Sequence, residues 1–393
     1  MSRSEYKGHS AVEYAKMGCD TMMRKFAPED LPPKDRFHYH QGVFLSGVQK
    51  TWHLTGEEKY YDYYKAWVDH EVRPDGTIIQ WDCGQLDDIQ PGILLFEPYE
   101  KTGDERYKIA LDTLLPVIYN FPKNQEGGFW HKDRYPNQMW LDGLYMAGPL
   151  SVEYGAKFNH PEYFDLSTQQ ALLMEKFTKD EKTGLWYHAW DCSKEADWAD
   201  PVTGKSPEFW GRSIGWVPIA MLDELIYLPE DHKDRKEIIR LTVDLLKALL
   251  PYQDEETGLW YQVVDKGDQE GNWVESSCTC LYSAAIARRR LCALLRASDQ
   301  RERPARHGRL SDHVYRFGGR IGLIRESKRG CRVCGSLFQK ESRCIRTEKE
   351  RNGGKATSTR IRPRAMEKCR PRRHRDDIRK RGTIFWRLRI TGI

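Results

Sequence analysis

Thr55-Gly56-Glu57-Glu58-Lys59-Tyr60-Tyr61 returns 47 residues later as Thr102-Gly103-Asp104-Glu105-Arg106-Tyr107-Lys108, with a weaker echo at His160-Pro161-Glu162-Tyr163-Phe164. Each copy has the form of a helix start: Thr or Pro, then acids where the helix dipole favours negative charge, then a long amphipathic run. Another helical run precedes the first two copies, Tyr39 to Leu54 and Ile89 to Lys101. The repeating unit is therefore a helix pair.

A second repeat lies between pairs. Asp180-Glu181-Lys182-Thr183-Gly184-Leu185-Trp186-Tyr187-His188 matches Asp254-Glu255-Glu256-Thr257-Gly258-Leu259-Trp260-Tyr261-Gln262, and Gly127-Gly128-Phe129-Trp130-His131 is a shorter version. These segments read as a turn followed by a short aromatic strand. Helix pairs with Gly-aromatic loops between them suggest a solenoid or a closed ring of hairpins. The ring is preferred, because its long loops would converge on one pocket. The pattern predicts helices near 10–25, 39–54, 57–71, 89–101, 104–119, 136–154, 161–177, 207–227, 233–250 and 275–289, the eighth opened by Ser206-Pro207-Glu208.

Charge divides the chain of 393 residues. Residues 1–287 carry 30 Lys+Arg and 48 Asp+Glu, whereas residues 288–393 carry 33 and 10, so an acidic body precedes a basic tail. Of the 13 Trp, only Trp386 lies in the tail. The first residues have no apolar signal core and no run is long enough to cross a membrane, while the ten Cys follow no even spacing. Reduced thiols and a cytoplasmic location are the expectation.

Three clusters can carry chemistry: Gln85 to Gly92, Asn137 to Met146, and Trp186-Tyr187-His188 with Phe209 to Trp216. Asp142 sits in Met139-Trp140-Leu141-Asp142-Gly143-Leu144-Tyr145-Met146, apolar on nearly every side. Desolvation there would raise its proton affinity, as a general acid near neutral pH requires; a helix cap is the equally ready alternative. Asp87 and Asp88 open a helix, and capping is the preferred account of the pair by itself. Trp140, Trp210 and Trp216 read either as core or as platforms for pyranose faces. Arg212 reads as a fork for a substrate carboxylate or as a structural ion pair. His188 and His131 read as hydrogen-bond donors to substrate or as satisfied loop histidines. No metal-ligand spacing surrounds His188, and no Gly-rich nucleotide loop is present, so no metal or cofactor is expected. Cys331-Arg332-Val333-Cys334 stands without a second pair at zinc spacing.

Taken together with Tyr39-His40-Gln41-Gly42, Leu86 to Gln90, Trp186 to Asp191 and Glu275-Ser276-Ser277, these motifs resemble glycoside hydrolase family 105. Those are the unsaturated rhamnogalacturonyl hydrolases, kin of the unsaturated glucuronyl hydrolases. The resemblance spans about residue 10 to Ala287, and Cys278-Thr279-Cys280 departs from it. It implies an all-α fold of six helix hairpins, an (α/α)6 barrel. It implies Asp142 as general acid/base, Asp87 as its helper, and Tyr39, His131, Trp140, Met146, His188, Trp210, Arg212 and Trp216 around an unsaturated oligosaccharide. It also implies hydrolysis begun by protonating the double bond between carbons four and five of a uronyl ring.

After Ala287 the resemblance stops and Arg288-Arg289-Arg290 opens the tail, in which 27 of 106 residues are Arg. The tail is read as a frame-slipped or fused sequence that leaves the ring incomplete at its C-terminus. The alternative is a disordered basic arm binding nucleic acid or another polyanion non-specifically. Three further rivals are an unsaturated glucuronyl hydrolase, an epimerase on the same ring, which would need His131 with His188, and polyanion binding through the tail without catalysis.

Overall fold

In the computed structural model, residues 5–6, 8–287, 315–317 and 320–322 are described. The chain divides into two units, Met1–Ile345 and Arg346–Ile393, and every described residue belongs to the first. The expectations about an incomplete ring, the tail from residue 288, Cys331 with Cys334, and Trp386 fall outside the described residues. Tyr315–Phe317 and Arg320–Gly322 pair as two short antiparallel strands.

The Thr-Gly repeat is the hinge of two hairpins. Helix α1 (Ala11–Lys25) opens on a reciprocal cap, Ser10 Oγ accepting from Glu13 N at 3.2 Å while Ser10 N donates to Glu13 Oε2 at 2.6 Å. Helices α2 (Tyr39–Thr55) and α4 (Phe96–Thr102) then end on Gly56 and Gly103 at φ 70° and 67°, left-handed positions that glycine takes without strain. Thr55 and Thr102 close these helices rather than open the next. Their hydroxyls donate to Thr51 O and Pro98 O and accept from Glu57 N and Asp104 N. Helices α3 (Glu58–Glu71) and α5 (Glu105–Tyr119) follow at once. The third hinge joins α6 (Asp142–Phe158) to α7 (Glu162–Thr178) through Asn159 at φ 60°. Helices α8 (Gly211–Tyr227), α9 (Arg235–Leu249) and α10 (Ser276–Ala287) complete the described set.

Inner and outer helices separate by burial. In α6 and α8 most residues are buried, whereas α9 buries one face. The 3-10 turn Gln90–Leu95 that leads into α4 packs on α2, α5 and α6; α6 packs on α8, and α8 on α10. Close approach needs small residues: a Cβ on Gly215 would lie 2.8 Å from Leu281 of α10. The core holds Tyr60, Tyr64, Trp67 and Tyr107 in one half and Trp186, Trp260 and Tyr282 in the other. Burial of such side chains is the main drive to fold, each contributing about 2–3 kcal/mol.

Three expectations are corrected. The stretch predicted as helix from 136 begins as strand β1 (Gln138–Trp140), paired antiparallel with β2 (Ala189–Asp191), and turns helical only at Asp142. Ser206-Pro207 does not start α8; Ser206 Oγ instead accepts from Ala189 N at 3.1 Å, and Trp210 is the N-cap. In the Asp-Thr-Gly loops, Trp186 and Trp260 are 2% and 1% exposed, so these aromatics wedge into the core instead of facing a pocket. Each turn is built by its Asp: Asp180 accepts from Thr183 N at 2.9 Å, and Asp254 from Thr257 N at 2.6 Å.

Glu224 of α8 is fully buried against Gly148 of α6, and burial, only partly offset by the Ser167 hydroxyl, pushes its carboxyl up to about 8. The folded state then binds a proton that the unfolded chain releases at its ordinary value of about 4.3. The stability this confers is full below about 4.3 and is lost progressively as pH rises to about 8. Glu224→Gln should flatten that decline. Denaturant midpoints at several pH values check it, and parallel declines in both proteins would refute it.

Candidate active site

The long loops and the N-terminal ends of α2, α6, α8 and α10 share one end of the ring. The β1–β2 strip joins two of the sequence clusters, because Leu141 N donates to His188 O at 3.0 Å and sets His188 beside Asp142.

Asp142 is the first residue of α6 and makes no capping hydrogen bond. Its Oδ2 accepts instead from the Ser213 hydroxyl of α8, and His188 Nε2 stands 3.4 Å away. The expectation of a raised proton affinity is corrected. Burial does push this carboxyl up, but the His188 contact and charge, the charge of His131 and the Ser213 hydrogen bond together hold it below its ordinary value.

Asp87 and Asp88 lie in the 3-10 turn Leu86–Asp88 and neither caps it. They diverge. Asp88 is structural, its Oδ1 meeting His38 Nδ1 at 2.5 Å and Arg36 at 3.1 Å, and its Oδ2 accepting from Asp82 N and Gln85 Nε2. Asp87 Oδ2 accepts from Lys132 Nζ at 2.5 Å and its Oδ1 lies 3.2 Å from His131 Nε2. Burial pushes Asp87 up, yet the His131 and Lys132 contacts and charges hold it far below the carboxylate range.

Tyr39 connects the two acids. Its phenol is pushed up by burial first, then by the charges of Asp87 and Asp142, with Arg212 acting against them. Those four side chains therefore share one electrostatic neighbourhood. His40 stacks on Tyr39 at 4.2 Å, and its imidazole is held low by burial, then by the neighbouring His38, Arg36 and Arg212, with Asp87 opposing.

The aromatic residues divide into supports and walls. Trp140 stacks with His131 at 4.6 Å and with Tyr135 at 5.3 Å, so its stacking is taken up by the protein and it fixes His131 on Asp87. Trp210 meets His188 edge-on at 4.9 Å and carries the Arg212 guanidinium over its ring at 4.4 Å. Trp216 and Met146 are buried, 7% and 1% exposed, the former stacked on Tyr145 at 4.7 Å. Arg212 makes the ion pair that was one of the two readings from sequence. One nitrogen pairs with Glu275 at 3.3 Å while its side chain stays 40% exposed.

Lys132 is no part of the sequence expectation for the site, and His40, Ser213 and Glu275 enter it only within motifs, without a role. Lys132 and Ser213 do adjoin His131 and Arg212 in the motifs, and that adjacency was the available signal. A separate group, Asp165, His232 and Asp234, comes within 4.8 Å at the start of α7 and ahead of α9, where Lys233 already pairs with Asp165 at 2.6 Å. Among the described residues no helix is long and apolar enough to cross a membrane.

Comparison with known proteins bears on the family and the fold. A solved glycoside hydrolase from family 105 of C. acetobutylicum is 36% identical with a TM-score of 0.68, covering 73% of this chain and 79% of that one. Unsaturated rhamnogalacturonyl hydrolase YesR of Bacillus subtilis is 28% identical over 251 residues, 62% of this chain and 68% of YesR. Protein Atu3128 of Agrobacterium fabrum is 34% identical over 154 residues, 39% of this chain, and the match spans 65% of that relative's length. The all-α architecture is that of the (α/α)6 barrels among these structural neighbours. The model of Glycosyl Hydrolase Family 88 matches residues 14–297, ten residues past the break in composition, and the chain belongs to that family.

Proposed function

We propose that this chain is a glycoside hydrolase that hydrolyses unsaturated uronyl-rhamnose oligosaccharides of rhamnogalacturonan type, with Asp142 as general acid/base. The observation that carries the reading is the setting of Asp142: a carboxylate freed from capping, bonded to Ser213, 3.4 Å from His188, and sharing its neighbourhood with Asp87, Tyr39 and Arg212. The similarity to YesR supports the choice of substrate.

Arg212 takes the uronyl carboxylate through its exposed edge. The double bond between carbons four and five is a vinyl ether. Asp142 gives its proton to carbon four, and the ring oxygen shares the cation left at carbon five. Water adds to carbon five and returns a proton to Asp142. The hemiketal opens, carbon one becomes a hemiacetal, and the neighbouring sugar leaves. One water is consumed, and no second carboxylate acts as nucleophile. Asp87, held ionised by Lys132 and His131, contacts substrate hydroxyls as an acceptor.

His188 sets the proton balance. Burial pushes the Asp142 carboxyl up, and the His188 contact and charge are the largest influences that hold it below its ordinary value.

Asp142→Asn should lower kcat about 10²- to 10⁴-fold, read as loss of the ultraviolet absorbance of the unsaturated uronyl group on rhamnogalacturonan lyase products. Unchanged turnover by a folded variant would sink the assignment.

His188→Gln removes the largest influences that lower Asp142. The fall of kcat/KM at rising pH, which follows deprotonation of the acid, should therefore move to higher pH. A profile that only drops in height would show that His188 does not govern Asp142.

Glu275→Gln should raise KM about tenfold with little change in kcat, because the Arg212 guanidinium loses its anchor over Trp210. Loss of kcat alone would refute the anchoring role.

A further inference from the structure

Three extended segments run side by side where α8 begins. Gly211 N donates to Gln262 O at 2.7 Å, Val264 N to Phe209 O at 3.0 Å, Gln262 N to Trp273 O at 2.8 Å and Glu275 N to Trp260 O at 2.8 Å. The antiparallel bridges Trp210 to Val263 and Tyr261 to Val274 set the register. Gly211, Gln262 and Trp273 therefore stand directly opposite one another in one row. With neighbouring strands about 4.8 Å apart, the Trp273 backbone lies about 10 Å from that of Gly211. A second route gives the same placement. Trp273 and Glu275 are two apart on an extended strand, so they share a face about 7 Å apart, and Glu275 holds Arg212 at 3.3 Å.

Trp273 is 55% exposed, and among the described residues its ring has no aromatic, cationic or hydrogen-bonding partner. Trp140, Trp210 and Trp216 all have such partners. Its backbone is nonetheless held firmly. Besides the Trp273 carbonyl, the Asn272 side chain accepts from Val263 N at 3.1 Å and donates to Val263 O at 2.9 Å and Lys266 O at 2.7 Å. An indole left open on so well tied a strand, just outside the arginine that takes the uronyl carboxylate, is placed to meet the next sugar.

We propose that Trp273 is the stacking platform for the sugar that leaves, a neutral pyranose whose C–H face lies against the indole; this rests on the hydrolase reading above. A neutral ring suits the place, because Lys266 on the adjoining turn is already paired with Glu208 at 2.5 Å and offers no free charge to a second acid. Arg212 thereby selects the acid end of the substrate and Trp273 its neighbour.

The test is calorimetric titration of the full chain carrying Asp142→Asn, which binds without turnover, with and without Trp273→Ala. Two ligands are compared, an unsaturated uronyl-rhamnose disaccharide and the methyl glycoside of the same unsaturated uronate. The preference for the disaccharide should fall about tenfold in Trp273→Ala and be largely kept in Trp273→Phe, since ring stacking is of that size. Equal weakening of both ligands, or of neither, would overturn the platform while leaving the hydrolase reading intact. A change of sedimentation coefficient in Trp273→Ala would also overturn it, because the indole would then pack against a second copy. Failure of the Asp142→Asn protein to bind either ligand would bring down the hydrolase reading, and the platform with it.

Discussion

The packing of α6 against α8 is the contact on which the rest depends. Gly148 lets the two helices approach, and the buried Glu224 side chain fills the space left beside it. At the other end of the same contact, Ser213 reaches the carboxylate of Asp142. Shape at the buried end thus decides chemistry at the open end. A hydroxyl contact contributes only about 1 kcal/mol net, too little to hold two helices together. The burial of most of α8 does the holding, and Ser213 is brought into place by it.

The two aspartates of the site show how one type of side chain is set to two tasks. Both are largely shielded and both face a histidine. Asp87 also has Lys132, whose ammonium meets its Oδ2 at 2.5 Å and helps to hold the carboxyl far below its ordinary range. Asp142 has the Ser213 hydroxyl in that position, with the imidazole of His188 at 3.4 Å and the charge of His131 beyond it. An ammonium holds the one carboxylate, a hydroxyl and an imidazole the other, so the two acids are set apart by their partners.

Much of the fold was legible along the chain. The Thr-Gly repeat marked two hairpin hinges, although it was read as a helix start when the same threonine also closes the helix before it. The Asp-Thr-Gly loops were visible as turns because an Asp side chain and a Gly at positive φ need no tertiary partner. The start of α6 was misread, since Gln138 to Trp140 looks apolar whether it forms a helix or pairs with Ala189 to Asp191. For α8, a good capping sequence at Ser206 lost to a strand contact with Ala189.

The sequence by itself determined the helix pairs, the loops between them and the short list of acids, aromatics and arginine, because periodicity, turn chemistry and side-chain type are local properties. Only the tertiary structure decided which of those residues act together and with what charge. Asp142 and Ser213 are 71 residues apart, and Asp87 and Lys132 are 45 apart. A carboxyl's proton affinity depends on what lies within a few ångströms in space. No window along the chain contains His188 beside Asp142, and so an apolar neighbourhood in sequence was mistaken for an uncompensated one in space.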